Sequence, residues 1–380
     1  SDLLARSVLW PNLEVAPIHL EMLGLLEAMT ADTNDPAKFA EHTKGFHQRG
    51  KELASGLGQY DHIESEVSYL RANLLGWAKH LFLLAFVIVA ISWLLPNKWI
   101  YRLAFLLTAV CAVIVVVGVT WRCILRGRPP VTTLYETVIF ITGSMAVAGL
   151  VTEWITRQKV ALAITPVLAW IGLFVAERYE LTKMEDTMPQ LVAVLDTNFW
   201  LATHVTCIAI GYMASMLTGF IAHVYVLGKV VGFKKNDAAF YRNVSRMTYG
   251  MLGFAMIFSV VGTILGGIWA NESWGRFWGW DPKENGALMI VLWQLAMVHL
   301  RLGGYIKAFG VAQMAIILNI IVAFSWWGVN LLGIGLHSYG FTAGIARTLW
   351  TFYGIEAAVF LTGGIWWLAT RPKASPKPTT

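Results

Sequence analysis

About nine long apolar stretches dominate this chain, each near the roughly 20 residues a helix needs to cross a bilayer: 77–95, 102–122, 137–155, 159–176, 199–228, 248–269, 285–302, 312–331 and 347–369. Hydrocarbon offers the backbone no water to bond, so only helices and closed barrels can span it, and apolar runs of this length are helical. The expected fold class is therefore all-α, a polytopic membrane helix bundle of about nine transmembrane helices. Composition agrees, with 380 residues of which 57% are hydrophobic and 14% charged, and a mean hydropathy of +0.58. The net charge of +6 comes from short loops and the tail, with no polybasic run, so it reads as topology and gives no support to nucleic-acid binding. Cys111, Cys123 and Cys207 are isolated and form no C-x-x-C, which argues against a dithiol relay.

Three regions follow from the pattern. Residues 1–76 are polar and charged, with His19, His42, His47 and His62 read as solvated; Tyr60, Ile63, Val67, Leu70 and Leu74 recur at helical spacing and lead into the first span. Residues 77–370 form the membrane domain, and 371–380 a basic tail. The chain opens at Ser1 without Met or a short signal-like apolar run, the expectation for a processed product or one piece of a longer chain. If the spans alternate, the loops carrying Arg157 and Lys159, Lys229 to Arg246, Arg301 and Lys307, and the tail with Arg371, Lys373 and Lys377 share one side, the cytoplasm. The opposite, outer side then holds residues 1–76, the acidic 177–197 loop, the connection after 269 and the 332–346 loop. Arg126 and Arg128 break this rule, as groups for an anionic ligand or as a tolerated exception.

The connection in question, 269–284, contains Trp269, Trp274, Trp278 and Trp280, followed by Asp281. Tryptophan gathers at membrane interfaces, and a belt is the simpler reading of any one of these residues. Four in a loop, interleaved with Gly275 and Gly279, instead form an aromatic floor that a flat partner can approach. Two histidines face the same compartment: His204, about five residues into the fifth span, and His337, in the loop after the eighth. His299 lies about 15 residues into the seventh span, on the order of 20 Å deeper at ~1.5 Å per residue, so it belongs to a second site. His80 and His223 are read as packed or water-facing. Two imidazoles and a stacking surface are what a planar metalloporphyrin requires.

The run Trp274-Gly275-Arg276-Phe277-Trp278-Gly279-Trp280-Asp281-Pro282-Lys283-Glu284 resembles the tryptophan-rich signature of the haem-handling proteins of cytochrome c biogenesis. Within them the chain is most similar to the CcsA (ResC) component of the system II cytochrome c synthase, supported by Thr133-Leu134-Tyr135-Glu136, Trp200 with His204, His299-Leu300-Arg301 and Gly335-Leu336-His337-Ser338-Tyr339. The resemblance covers roughly 100–370 and implies several things. His204 and His337 would ligate haem iron at the outer face, the Trp-rich segment would hold the macrocycle, and His299 would serve a haem site within the membrane. A CcsB (ResB)-like membrane partner would complete that inner site. Haem b would be substrate and ligand, an apocytochrome bearing C-x-x-C-H the acceptor, and the cytoplasmic (inner) membrane the location. The activity implied is that of a cytochrome c haem lyase component, with proximity and orientation rather than acid–base chemistry as the protein's contribution.

Three rivals stand beside this reading. A b-type electron carrier would pair histidines about 13 or 14 residues apart on two helices, whereas His204 and His223 are the only comparable pair and are spaced differently. A haem exporter without ligase activity would use the same site. A structural membrane subunit would use the tryptophans only as a belt.

Overall fold

The computed structural model describes residues 17–129, 131–183, 187–188, 199–337 and 345–370. Residues 1–16, the tail 371–380, and Glu185, Asp186 and Asp196 of the acidic loop lie outside them. The chain divides into two compact units, Ser1–Ala72 and Asn73–Thr380.

In the first unit, α1 (Pro17–Ala31) and α2 (Pro36–Gly56) are followed by α3 (Ile63–Ala72). Asp35 starts α2 by accepting from the N–H groups of Ala37 and Lys38, with Pro36 fixing the first helical φ. Arg49 grips both oxygens of Glu21 at 2.7 and 2.9 Å, which ties α1 to α2. His19, His47 and His62 are exposed, while His42 bonds Asp32 at 3.0 Å.

The second unit contains α4 (Leu74–Leu94), α5 (Lys98–Arg126), α6 (Leu134–Thr156), α7 (Val160–Lys183), α8 (Phe199–Val231), α9 (Ala238–Trp274), α10 (Pro282–Leu302), α11 (Ala308–Trp326) and α12 (Ile345–Thr370). Among the described residues nine helices are long and apolar enough to cross a membrane, so the protein is a multi-pass, all-α membrane protein. Several helices outrun their apolar windows because caps, not hydropathy, end them. Asp237 caps α9 through the Phe240 N–H at 2.9 Å, and Gly275, with φ of 71°, stops it. Trp269 and Trp274 therefore sit on the last turns of α9 rather than in a loop, a correction to the sequence reading. The eighth span is corrected too, because α11 ends at Trp326 and passes into a 3₁₀ turn, Gly328–Leu332, closed by Gly333 at φ of 65°.

Helices α8 and α9 form the most extensive pair. Water-driven burial does not operate between spans, so close packing of small residues takes its place. A Cβ on Gly211 would stand 3.0 Å from the Ser259 nitrogen, and one on Gly262 would stand 2.8 Å from the Ile208 nitrogen. Deeper in the bundle, the Gln294 amide of α10 donates to Ser215 at 2.8 Å and Ser259 at 3.2 Å, pinning a third helix to the pair. This places the ends of α8, α9 and α10, with the turn after α11, around one cavity.

Candidate functional site

His204 is set by the glycine contact between α8 and α9. With the backbones that close, its Nδ1 lies 2.8 Å from the Gly262 carbonyl. Gly266 leaves room for the ring, since a Cβ there would meet Cε1 at 2.6 Å. Trp269, 1% exposed, stacks on the imidazole at 6.1 Å and 11° between planes.

His337 is set by the start of α10. Asp281 is the N-cap, accepting from the Lys283 N–H at 2.8 Å, while Glu284 reaches back to the N–H groups of Gly279 at 2.8 Å and Asp281 at 3.0 Å. This capping box ties the 279–281 backbone to the helix start and fixes the carboxylate. Asp281 Oδ1 then lies 3.2 Å from His337 Nδ1, and Oδ2 accepts from the His337 backbone N–H at 3.4 Å. Gly335 permits this approach: its φ is 92°, and a Cβ would fall 2.0 Å from Asp281 Oδ2. Burial pushes the Asp281 carboxyl up, but the His337 imidazole and the N–H groups of Lys283 and His337 outweigh it and hold it at about 2.

His204 Nδ1 faces a carbonyl that only accepts, which assigns the proton there and leaves Nε2 as the basic nitrogen, while His337 Nδ1 lies within 3.2 Å of the Asp281 carboxylate. Metal-binding histidines commonly carry such a partner behind the ligating nitrogen. His337 packs 5.9 Å from Trp269 and edge-on to Trp274 at 4.9 Å, so both imidazoles touch the same indole.

A cavity of about 460 Å³ opens beside them. His204, His337, Trp269, Phe277 and Trp278 line it, with Trp326, Asn330 and the 131–134 segment. Its size falls in the ~300–1,000 Å³ range of small-ligand sites, and its mainly apolar wall with few polar groups has their usual character. Its donor set, two oriented imidazoles among indoles, fits a planar metal complex.

Of the residues singled out from sequence, His204, His337, Trp269, Trp274, Trp278 and Asp281 converge here. Trp280 does not: it is 70% exposed and has φ of 57°, standing edge-on to Trp278 at 6.1 Å. The four tryptophans are two near-perpendicular pairs rather than one floor. His299 is exposed on α10, away from the cavity lining, with Nδ1 2.8 Å from the Leu295 carbonyl. Its place 18 residues beyond Asp281 sets it about 27 Å along the helix at ~1.5 Å per residue. Arg128 lies 3.6 Å from Glu136, as does Arg122 of α5, so Arg128 of this basic loop has a carboxylate partner within the chain. Sequence reasoning passed over Glu284, Lys283 and Asn330. The Asp-Pro-x-Glu spacing of a capping box was the signal for the first, and nothing local marks Asn330.

The fold is thus a bundle of spanning helices with a cavity lined by histidine and tryptophan at one end. Residues 131–337 match the family described as Cytochrome C assembly protein, from the start of the cavity wall to His337. Cytochrome c biogenesis protein CcsA of Synechococcus sp. (strain CC9902) is 31% identical over 265 residues, covering 62% of this chain and 86% of the relative. The protein of that name from Chlamydomonas reinhardtii is 30% identical over 221 residues, covering 57% and 62%. The chain belongs to the cytochrome c assembly family, in its CcsA (ResC) group. Among solved structures, Cytochrome c Heme Lyase CcmF shares the fold, with a TM-score of 0.53 at 14% identity over 79% of this chain; the match spans about half of CcmF, 51%.

Proposed function

We propose that this protein, in cytochrome c maturation, holds haem b between His204 and His337 and presents it to an apocytochrome bearing reduced C-x-x-C-H. The observation that carries the reading is the pair of imidazoles against one buried indole, each with Nδ1 backed by an acceptor. In this reading haem is substrate, and its vinyl groups supply the reactive carbons. Each cysteine S–H adds across one vinyl C=C, with sulfur bonding one carbon and the proton ending on the other, so no net oxidation occurs. The residues here bind and orient: Trp269 and Trp278 cover the macrocycle, Asp281 fixes His337, and the apolar wall excludes water. Converting encounter into an intramolecular step is the source of rate. In this reading the Trp-rich end faces outward across the cytoplasmic membrane, an orientation that the basic loops on the other side support. His299, exposed on its helix, faces a CcsB-like partner that completes a haem site within the membrane.

The test is synthesis of a reporter c-type cytochrome by His204→Ala and His337→Ala variants. Each should lose synthesis while remaining in the membrane, and added imidazole should restore part of it. Wild-type synthesis in both variants refutes the ligand assignment.

A further inference from the structure

Lys283 is the one lysine or arginine among the described residues that line the cavity. It occupies the first turn of α10, where the helix dipole favours anions and opposes a cation. The carboxylates beside it are committed elsewhere: Glu284 accepts from the Gly279 and Asp281 N–H groups, and Asp281 faces His337. The ammonium donates instead to two neutral acceptors, the Trp326 carbonyl at 2.6 Å and Asn330 Oδ1 at 3.4 Å. No carboxylate of a described residue forms an ion pair with it. An ammonium carries three donors, so one N–H remains for whatever fills the cavity. A cation held at an apolar wall by neutral groups is incompletely compensated, and an anionic oxygen on the ligand supplies what is missing.

We propose that Lys283 is a specificity-determining residue of this site: it selects a planar ligand that carries a carboxylate and fixes which edge of the ring lies towards Trp326 and Asn330. The inference rests on the haem reading and deepens it, since the carboxylates of that ligand are its propionates. A fixed propionate edge would turn the opposite, vinyl-bearing edge away from Lys283, where the thiols must reach.

The experiment titrates purified protein in detergent with iron protoporphyrin IX and with its dimethyl ester, following the Soret band. It is done in a His299→Ala background so that the second histidine does not contribute. The free acid should bind at least about tenfold more tightly than the ester, the scale of one charge-assisted contact. Lys283→Met should erase that preference while Lys283→Arg retains it. Equal binding of acid and ester to the Lys283 protein overturns the inference and leaves the haem reading standing; so does a preference that survives in Lys283→Met. Binding of neither porphyrin overturns the haem reading and this inference with it. The comparison of the two ligands on the Lys283 protein decides the matter even where the Met variant fails to fold.

Discussion

Replacing Asp281 by Asn removes one charge and alters no volume, so it isolates what that carboxylate does for His337. The carboxylate receives the Lys283 N–H at 2.8 Å, the His337 backbone N–H at 3.4 Å, and faces His337 Nδ1 at 3.2 Å. An amide has one accepting atom where the carboxylate has two. With Oδ1 kept towards Lys283 and the imidazole, the new NH₂ meets the His337 N–H donor to donor; the flipped amide loses the two better contacts. Loss of a partner behind a ligating histidine typically lowers metal affinity about 10–100-fold, or ~1.4–2.8 kcal/mol. Asp281→Asn should therefore bind haem ten to a hundred times more weakly, by rough reckoning from that same range, while the cap and the helix survive. The assay is the absorbance ratio of haem to protein after purification, with a haem titration of the stripped protein. Undiminished affinity would refute the claim that this carboxylate orients a ligand.

The sign of the pH effect follows from the same group: its folded value is lowered, so its contribution is complete above about pH 4–5 and disappears as pH falls towards 2. Tryptophan fluorescence during thermal unfolding should show wild-type losing its advantage over Asp281→Asn across that window and keeping it at pH 6. Gly335→Ala should act like loss of Asp281, because a Cβ 2.0 Å from Oδ2 displaces the carboxylate on top of left-handed backbone strain of ~1–2 kcal/mol; the readout is haem content. Trp278→Leu should lower haem occupancy, with stacking worth about 1 kcal/mol beyond area, whereas Trp280→Leu should leave it unchanged. Equal effects at these two positions would return both to an interfacial belt. His299→Ala should lower the haem content of the whole protein, and imidazole should rescue it poorly if that site is sheltered from water.

Helices were legible because each span must satisfy its own backbone in hydrocarbon, which forces a long apolar run with little ambiguity. Their ends were not, since Asp237, Gly275 and Asp281 act through local hydrogen bonds that hydropathy does not register. The histidines and most of the tryptophans were legible as types in one compartment. Their arrangement was hidden in tertiary contacts. Gly262 and Gly266 shape the His204 side, and neither differs in sequence from an ordinary small residue in a span. Trp280 reads like its neighbours, yet a left-handed φ turns it out of the cavity. Lys283 reads as a surface lysine after proline until α11 and its 3₁₀ turn bring Trp326 and Asn330 to its amine.

The most direct measurement is an absorption spectrum of the purified protein, oxidised and reduced, followed by pyridine extraction. Two imidazoles on one iron should give a low-spin spectrum, with extracted haem of the b type that is lost when His204 or His337 becomes alanine and returns with added imidazole. Absence of haem absorbance in protein purified from haem-replete membranes, or a spectrum indifferent to both substitutions, would contradict the account.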